Sequence, residues 1–404
     1  MRYSTPPNLQ LQIAQEKQQL ISELMERNNF ASWIIFVRET SVNPDPILEL
    51  VAAGDIVWES AFIFLKTEEG VHKTALVGNY DAEAEKKKGL WDEVIGYKEG
   101  ISEHLLEIID KANPETIAIN YSLDDVIADG ISHGMFLKLS NILLRYVERF
   151  VSAAPMIRSL RGIKTPTEVE LITKACELTE EINTRVTQML SLGMTELEIQ
   201  KLYYEEMNKE GVKEAWQRVS CPSINAGPEK ELGHLGPSEF KIKKGHTLHN
   251  DFGVKLNGYC SDIQRMWFFG KEEEVPEELM HAYETVHEAI TKAAEYIKPG
   301  LTGFSVDKIA RDHVISRGYQ EYGHALGHQL GTEAHDGGVL LGPLWERYGD
   351  IPKGEIEEGN VFTLELHVNT KNYGTVSLEE DIVITKEGCR FLVQRQEKLI
   401  FVTI

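Results

Sequence analysis

The spacing of apolar residues changes several times along the chain. Over roughly the first 30 residues Leu9, Ile13, Leu20, Ile21, Leu24 and Met25 recur near helical spacing, with Gln, Lys and Glu between them, which predicts an amphipathic helix. Strand-length apolar runs follow at 32–37, 60–65 and 74–77, and helical patterns at 101–111 and 134–141. Strands alternating with helices predict an α/β domain. No chemically active side chains gather in this stretch, so it reads as a lid, a specificity wall or a dimerisation surface. The pattern changes again around 150–165. Thr165-Pro166-Thr167-Glu168 is a capping box with proline at the first helical position. It predicts a long helix running to about Leu190. The domain boundary is placed just before it, giving domains 1–158 and 159–404.

Past the boundary, the segment from Gly193 to Leu202 resembles the one from Gly300 to Ile309: Gly, Thr and Lys recur identically, and the apolar pattern is mostly kept. Each copy follows a long helix and begins another. Chance likeness is one reading. The other is a pseudo-symmetric domain made of two related α/β halves, in which a site between the halves is natural.

Composition narrows the function classes. A chain of 404 residues, 42% hydrophobic, is comfortable for two domains with a sizeable core. No apolar run approaches the ~18 residues of a membrane-spanning helix. The N-terminus lacks a basic region followed by an apolar core, so the expectation is a cytoplasmic protein. Cys176, Cys221, Cys260 and Cys389 are scattered, with no Cys-x-x-Cys pair, which favours free buried thiols over a disulfide framework or a zinc–thiolate site. The formal charge of −22 disfavours partnership with nucleic acid or an anionic membrane. Most of the acid is solvated surface, as in Glu272-Glu273-Glu274. Four acids are exceptions.

Asp251 and Asp262 lie in two apolar segments joined through Asn257-Gly258, a hairpin turn signal. A two-residue turn pairs position 253 with 262, and alternation along the strand then points both carboxylates the same way. The device recurs near the C-terminus. Segments 361–368 and 376–385 read as strands, and a hairpin centred on Asn372 puts Glu365 opposite Glu379. One acid in a strand is ordinarily on its solvent face. Four acids paired by two hairpins and flanked by Phe, Leu, Ile and Val would repel and lose hydration, so a cation should sit among them. Two divalent ions would balance four carboxylates. A glycine-interleaved loop, Gly323-His324-Ala325-Leu326-Gly327-His328-Gln329-Leu330-Gly331, continues to His335-Asp336. A lone histidine is more often structural than a ligand, but three within twelve residues favour a site. His234, in the loop 225–236, is weak evidence by itself.

The order Asp-x10-Asp, Gly-His-x-x-Gly, Glu, Glu resembles the M24 metallopeptidases, which have the pita-bread fold, over about residues 160–404. The N-terminal part more loosely resembles the creatinase-like domain of the prolidase and aminopeptidase P branch. The resemblance implies an Xaa-Pro peptidase, a homodimer, and a metal set of Asp251, Asp262, His328, Glu365 and Glu379, with Asp262 and Glu379 bridging both ions. The Glu-x-x-x-x-x-Thr frame ending at Thr385 selects Glu379 over Glu380. It also implies roles for His234, His324 and His335 beside the metals. Two close ions lower the pKa of a shared water and orient the hydroxide that attacks the scissile carbonyl. Glu365 would shuttle the proton, His335 and His234 would hold the carbonyl and the tetrahedral intermediate, and His324 would position substrate or pass a proton. An oxygen-rich set with one imidazole suits Mn²⁺ best, with Co²⁺, Zn²⁺ or Fe²⁺ as alternatives. Two positions depart from the proline-specific pattern: Ser377 stands where Arg is frequent, and Leu366-His367 where Pro-Gly is frequent. A hydrolase or lyase for a small non-peptide substrate, and a non-catalytic binding protein of the same fold, are the competing readings.

Overall fold

Helix Pro7–Arg27 opens the chain in the computed structural model, which describes residues 4–123, 125–228 and 236–402. Proline at its start has no N–H to leave unpaired, and Ile13, Ala14, Lys17, Ile21, Leu24 and Met25 form its buried stripe. Contacts divide the chain into two units, Pro6–Arg161 and one made of the chain from Gly162 onward together with the segment before Pro6.

The first unit is built on a mixed six-stranded sheet. Its order is Glu93–Tyr97, Gly70–Gly78, Ser60–Thr67, Ser32–Val37, Ile117–Ile119, Phe150–Ser152. Ser32–Val37 is buried at every position. It pairs antiparallel with Ser60–Thr67 on one side and parallel with Ile117–Ile119 on the other. A strand enclosed in this way reads as an unbroken apolar run and not as an alternation. Ile34, Phe36, Ile63 and Leu76 from the sheet meet Leu105, Ile109 and Leu139 from helices Ser102–Ala112 and His133–Ile142 in one core.

The second unit repeats one plan twice. Helix α1 (Pro166–Thr187) begins with a reciprocal cap: Thr165 accepts from the Glu168 N–H, and the Glu168 side chain accepts from the Thr165 N–H. It ends at Thr187, short of Leu190, because Met189 and Leu190 are already in turns that lead to the next helix. Helix α2 (Glu196–Glu210) follows, capped by Thr195. In the second half, α3 (Glu277–Tyr296) leads to α4 (Gly303–Ser316), capped by Thr302. The two Gly-x-Thr segments share the same local contacts. Gly193 and Gly300 have φ of +83° and +84°. Their N–H groups donate to Ile242 and Ile356, and Thr195 and Thr302 form bridges to Lys241 and Glu355.

Strands β1 (Ser223–Ala226), β2 (Thr247–Phe252), β3 (Ile263–Phe268), β4 (Val361–Asn369) and β5 (Thr375–Ile384) form the central part of a seven-stranded sheet in the order β4-β5-β3-β2-β1. Cys389–Phe391 pairs with β5 and Ile400–Phe401 with β3. Helices α1 and α2 share a core with β1 and β2, and α3 and α4 share another with β4 and β5. Each helix pair therefore anchors one side of the sheet. Among the described residues no helix is long and apolar enough to cross a membrane. Cys176, Cys221, Cys260 and Cys389 are free thiols.

Candidate metal centre

The two hairpins converge on one level of the sheet. Asn257 and Gly258 both have positive φ, +50° and +86°, as a tight primed turn requires, and they set Leu256 opposite Tyr259. The same hairpin carries Phe252 opposite Ile263 and Asp251 opposite Gln264. Asp262, two residues before Gln264, shares its face by alternation. In the other hairpin Glu365 is opposite Glu379, and Glu379 also pairs with Gln264. One row therefore crosses five strands: Ser223, Asp251, Gln264, Glu379, Glu365.

His328 comes from the glycine-rich segment that lies against β4. A Cβ at Gly327 would stand 1.9 Å from the Thr363 carbonyl oxygen, so only glycine allows this approach. The His328 N–H donates to Thr363 Oγ1 at 3.3 Å, and the Thr363 N–H donates to the His328 carbonyl at 3.0 Å. The segment thus delivers the imidazole to the carboxylate row.

Ligand atoms of Asp262, His328 and Glu379 lie within 4.8 Å of one another. His328 Nε2 is 3.7 Å from Asp262 Oδ2 and 3.7 Å from Glu365 Oε1. The Asp251 carboxyl lies beside that of Asp262. Asp262 and Glu379 are buried, whereas Glu365 keeps 22% of its side-chain surface and marks the open edge.

The electrostatics of these groups are costly. Burial raises Asp251 to about 7. Burial, then the charge of Asp251, raises Glu365 to about 8. Asp262 and Glu379 are pushed well above the carboxylate range by burial and then by the neighbouring acids. Burial lowers His328 to about 3, with the His335 ring adding to the effect, so its imidazole is neutral and can act as a ligand. Asp251 Oδ1 and Glu379 Oε1 are buried without a hydrogen-bond donor, an arrangement that costs about 1–3 kcal/mol per atom if left uncompensated. Four carboxylates and one neutral imidazole, with open acceptor atoms converging, fit divalent cations of the borderline to hard kind.

The remaining sequence candidates are placed differently. The exposed His335 ring stands edge-on to His328, with centroids 4.3 Å apart. His324 does not join the carboxylates. Its Nδ1–H donates to the Ala325 carbonyl at 2.7 Å, so its Nε2 accepts from His367 Nδ1 at 3.0 Å, and the two rings stack. His234 lies outside the described residues. Glu380, the neighbour of Glu379, faces away and accepts from Arg265 Nη1 and Nη2 at 3.1 and 3.0 Å.

Three participants escape a reading by residue type. Gln264 contacts two of the acids, His249 contacts Gln264, and Asp381 accepts from Cys176 Sγ and the Asp262 N–H. For Gln264 a signal existed: it is two residues beyond Asp262, hence on the same face. For His249 and Asp381 the same period, counted back from Asp251 and on from Glu379, points to the row.

Comparison with known proteins agrees with this geometry. The model of metallopeptidase family M24 matches residues 170–386, which includes every carboxylate and the imidazole of the cluster. An Xaa-Pro dipeptidase of Pyrococcus furiosus is 30% identical over 290 residues, 71% of this chain and 76% of that protein. One of Pyrococcus horikoshii is 32% identical over 256 residues, 63% of this chain and 69% of that protein. Among solved structures, an Xaa-Pro dipeptidase from Bacillus anthracis superposes with a TM-score of 0.73 at 21% identity, covering 96% of this chain and 100% of that one. At that identity it speaks for the fold alone, which is the mixed α/β pita-bread fold. Family model, relatives and the paired hairpins lead to one conclusion: the chain belongs to metallopeptidase family M24.

Proposed function

We propose that this chain hydrolyses peptides at an Xaa-Pro bond, releasing the N-terminal residue, with two divalent ions held by Asp251, Asp262, His328, Glu365 and Glu379. The observation that carries the reading is the convergence of four acids and a neutral imidazole, with Asp251 Oδ1 and Glu379 Oε1 unpartnered. The relatives named Xaa-Pro dipeptidase favour a dipeptide substrate over a longer peptide. The oxygen-rich donor set favours Mn²⁺. Residues 1–158 are read as a creatinase-like domain and 159–404 as the catalytic domain, and the assembly as a homodimer.

A bound pair of ions supplies Lewis acidity and a water of lowered pKa. The chain's own groups do the rest. Glu365, at the open edge of the row, takes a proton from the attacking water and returns it to the leaving nitrogen. His335, beside His328, donates to the oxygen of the tetrahedral intermediate, a contact worth about 2.7–4 kcal/mol in comparable sites. His234 shares that role. His324, held between the Ala325 carbonyl and His367, acts on the substrate side and orients the second imidazole.

A second reading, a hydrolase or lyase for a small non-peptide molecule, keeps support from one place. His367 and Ser377 are cross-strand partners, and both differ from the proline-specific pattern. Assay of chelator-stripped protein on Ala-Pro, Gly-Pro, Ala-Pro-Ala and Ala-Ala-Ala, with and without Mn²⁺, separates the readings. The proposal expects Mn²⁺-dependent release of the residue before proline, fastest from the dipeptides. Failure to cleave any of the four by metal-loaded protein would move the assignment to the second reading.

A further inference from the structure

At the centre of the carboxylate row stands a neutral side chain. Gln264 is 5% exposed and is flanked in register by Asp251 and by Glu379. Its Nε2 is 2.8 Å from Glu379 Oε2 and 3.2 Å from Glu365 Oε2. Its Oε1 is 2.5 Å from Ser377 Oγ and 2.9 Å from His249 Nε2. These four contacts fix the amide orientation. A flipped amide would aim its carbonyl at two carboxylates and its N–H₂ at a ring N–H.

The contacts also sort the carboxylate oxygens. An amide N–H₂ offers two donors, and here each donor meets one acid. Glu379 Oε2 is thereby taken, while Glu379 Oε1 is buried without a partner. Glu365 Oε2 is likewise taken, while Glu365 Oε1 is the atom 3.7 Å from His328 Nε2. In both acids the oxygen left over is free to face the Asp262–His328 cluster. A cation in this position, such as Lys or Arg, would pair with the acids and compete with metal. An amide donates without adding charge, so it can orient the acids and leave their negative charge to the ions.

The geometry points to Gln264 as a positioning residue that holds Glu365 and Glu379 with one oxygen each turned toward the metal ions, with Ser377 and His249 locking its amide. This rests on the metal-site reading above. It also accounts for Ser377, whose hydroxyl, cross-strand from His367, donates to the Gln264 carbonyl.

The test is metal binding by the full-length chain, stripped and then titrated with Mn²⁺, together with the visible absorption of the Co²⁺ form. Gln264→Met keeps the length and removes the amide. Gln264→Glu replaces the donor pair by a further carboxylate. Ser377→Ala removes one lock and leaves the amide. Groups behind metal ligands typically contribute about 10–100-fold to metal affinity. Gln264→Met is expected to weaken at least one ion by that factor and to shift the Co²⁺ spectrum. Gln264→Glu should alter the pH dependence of binding as well, and Ser377→Ala should give a smaller loss with a spectral shift in the same direction. Unchanged Mn²⁺ affinity and an unchanged Co²⁺ spectrum in Gln264→Met would overturn the inference while leaving the metal site standing. If Gln264→Met does not fold, the same unchanged pair of readouts in Ser377→Ala overturns it. Wild-type protein that binds no Mn²⁺ would overturn both the metal site and the role of Gln264.

Discussion

At the scale of single residues, neighbouring acids in one strand are separated by the pleat. Glu379 turns into the cluster, and Glu380 turns away to Arg265. Substitution should split accordingly. Glu379→Gln removes the charge of a proposed ligand, and Mn²⁺ affinity is expected to fall by more than the ~100-fold upper range for groups behind ligands. Glu380→Gln removes one of the two carboxylates paired with the buried Arg265, the other being Glu180, and the expected loss is about 1.5–3 kcal/mol of folding stability, as for a hydrogen bond to a charged group. Calorimetric Mn²⁺ titration and urea unfolding of the metal-free proteins measure the two effects. Equal losses of affinity in the two variants would contradict the assignment of faces. The acids could be read from the sequence because charged residues inside apolar strands are conspicuous. For Gln264 the alternation gives only its face; its role could not be read, because that is made by partners distant in the chain: Ser377 is 113 residues away and Glu379 is 115. The histidines were legible only as a group. By spacing alone they are equivalent: His328 reaches the carboxylates because Gly327 lets its segment approach β4, and the family resemblance, not the spacing, singles it out.

At the scale of elements, the two hairpins and the Gly-x-Thr repeat explain why the centre is legible at all. Register in a hairpin follows from the turn, and a slip of one residue would turn each acid to the opposite face. Asn257-Gly258 therefore determines the direction of Asp251 and Asp262. The helix starts at Thr165, Thr195 and Thr302 were equally readable, since a cap is a local device. Less legible was the loop carrying His328, whose path depends on contact with β4. Gly327→Ala puts a methyl group 1.9 Å from the Thr363 carbonyl. It should cost about 1–3 kcal/mol by overpacking and weaken Mn²⁺ binding through displacement of His328. Gly323→Ala, with no atom within 4 Å of the added carbon, serves as the control and should stay within about 0.5 kcal/mol of wild type. Urea unfolding of both variants checks this, and a Gly327→Ala protein as stable as the Gly323→Ala control would contradict the close-approach argument.

At the scale of the whole molecule, the buried acids tie folding to pH and metal. Asp251 near 7 and Glu365 near 8 are raised chiefly by burial, and Asp262 and Glu379 move the same way. Unfolded carboxylates titrate near pH 4. These four groups therefore hold more protons in the folded, metal-free chain than in the unfolded chain from about pH 4 to about pH 8. Their contribution makes stability of the metal-free form fall as pH rises, and above about pH 6.5 nothing from the buried histidines opposes it. His328, lowered to about 3, and His249 and His367, lowered to about 4, have the opposite effect, but only below about pH 6.5. Divalent ions must displace the carboxylate protons, so the rise in Tm on adding Mn²⁺ should be larger at about pH 8 than at about pH 6. Paired melting curves measure it, and a smaller shift at the higher pH would contradict the electrostatic account.

The central claim is that four converging carboxylates, two of them buried, and one imidazole exist to hold two ions. Calorimetric titration of the stripped, full-length chain with Mn²⁺ near pH 7.5 tests it most directly. The account predicts two ions bound per chain, with protons released into the buffer as they enter, and loss of binding in Asp262→Asn. One ion per chain, none, or binding unaffected by Asp262→Asn would contradict it.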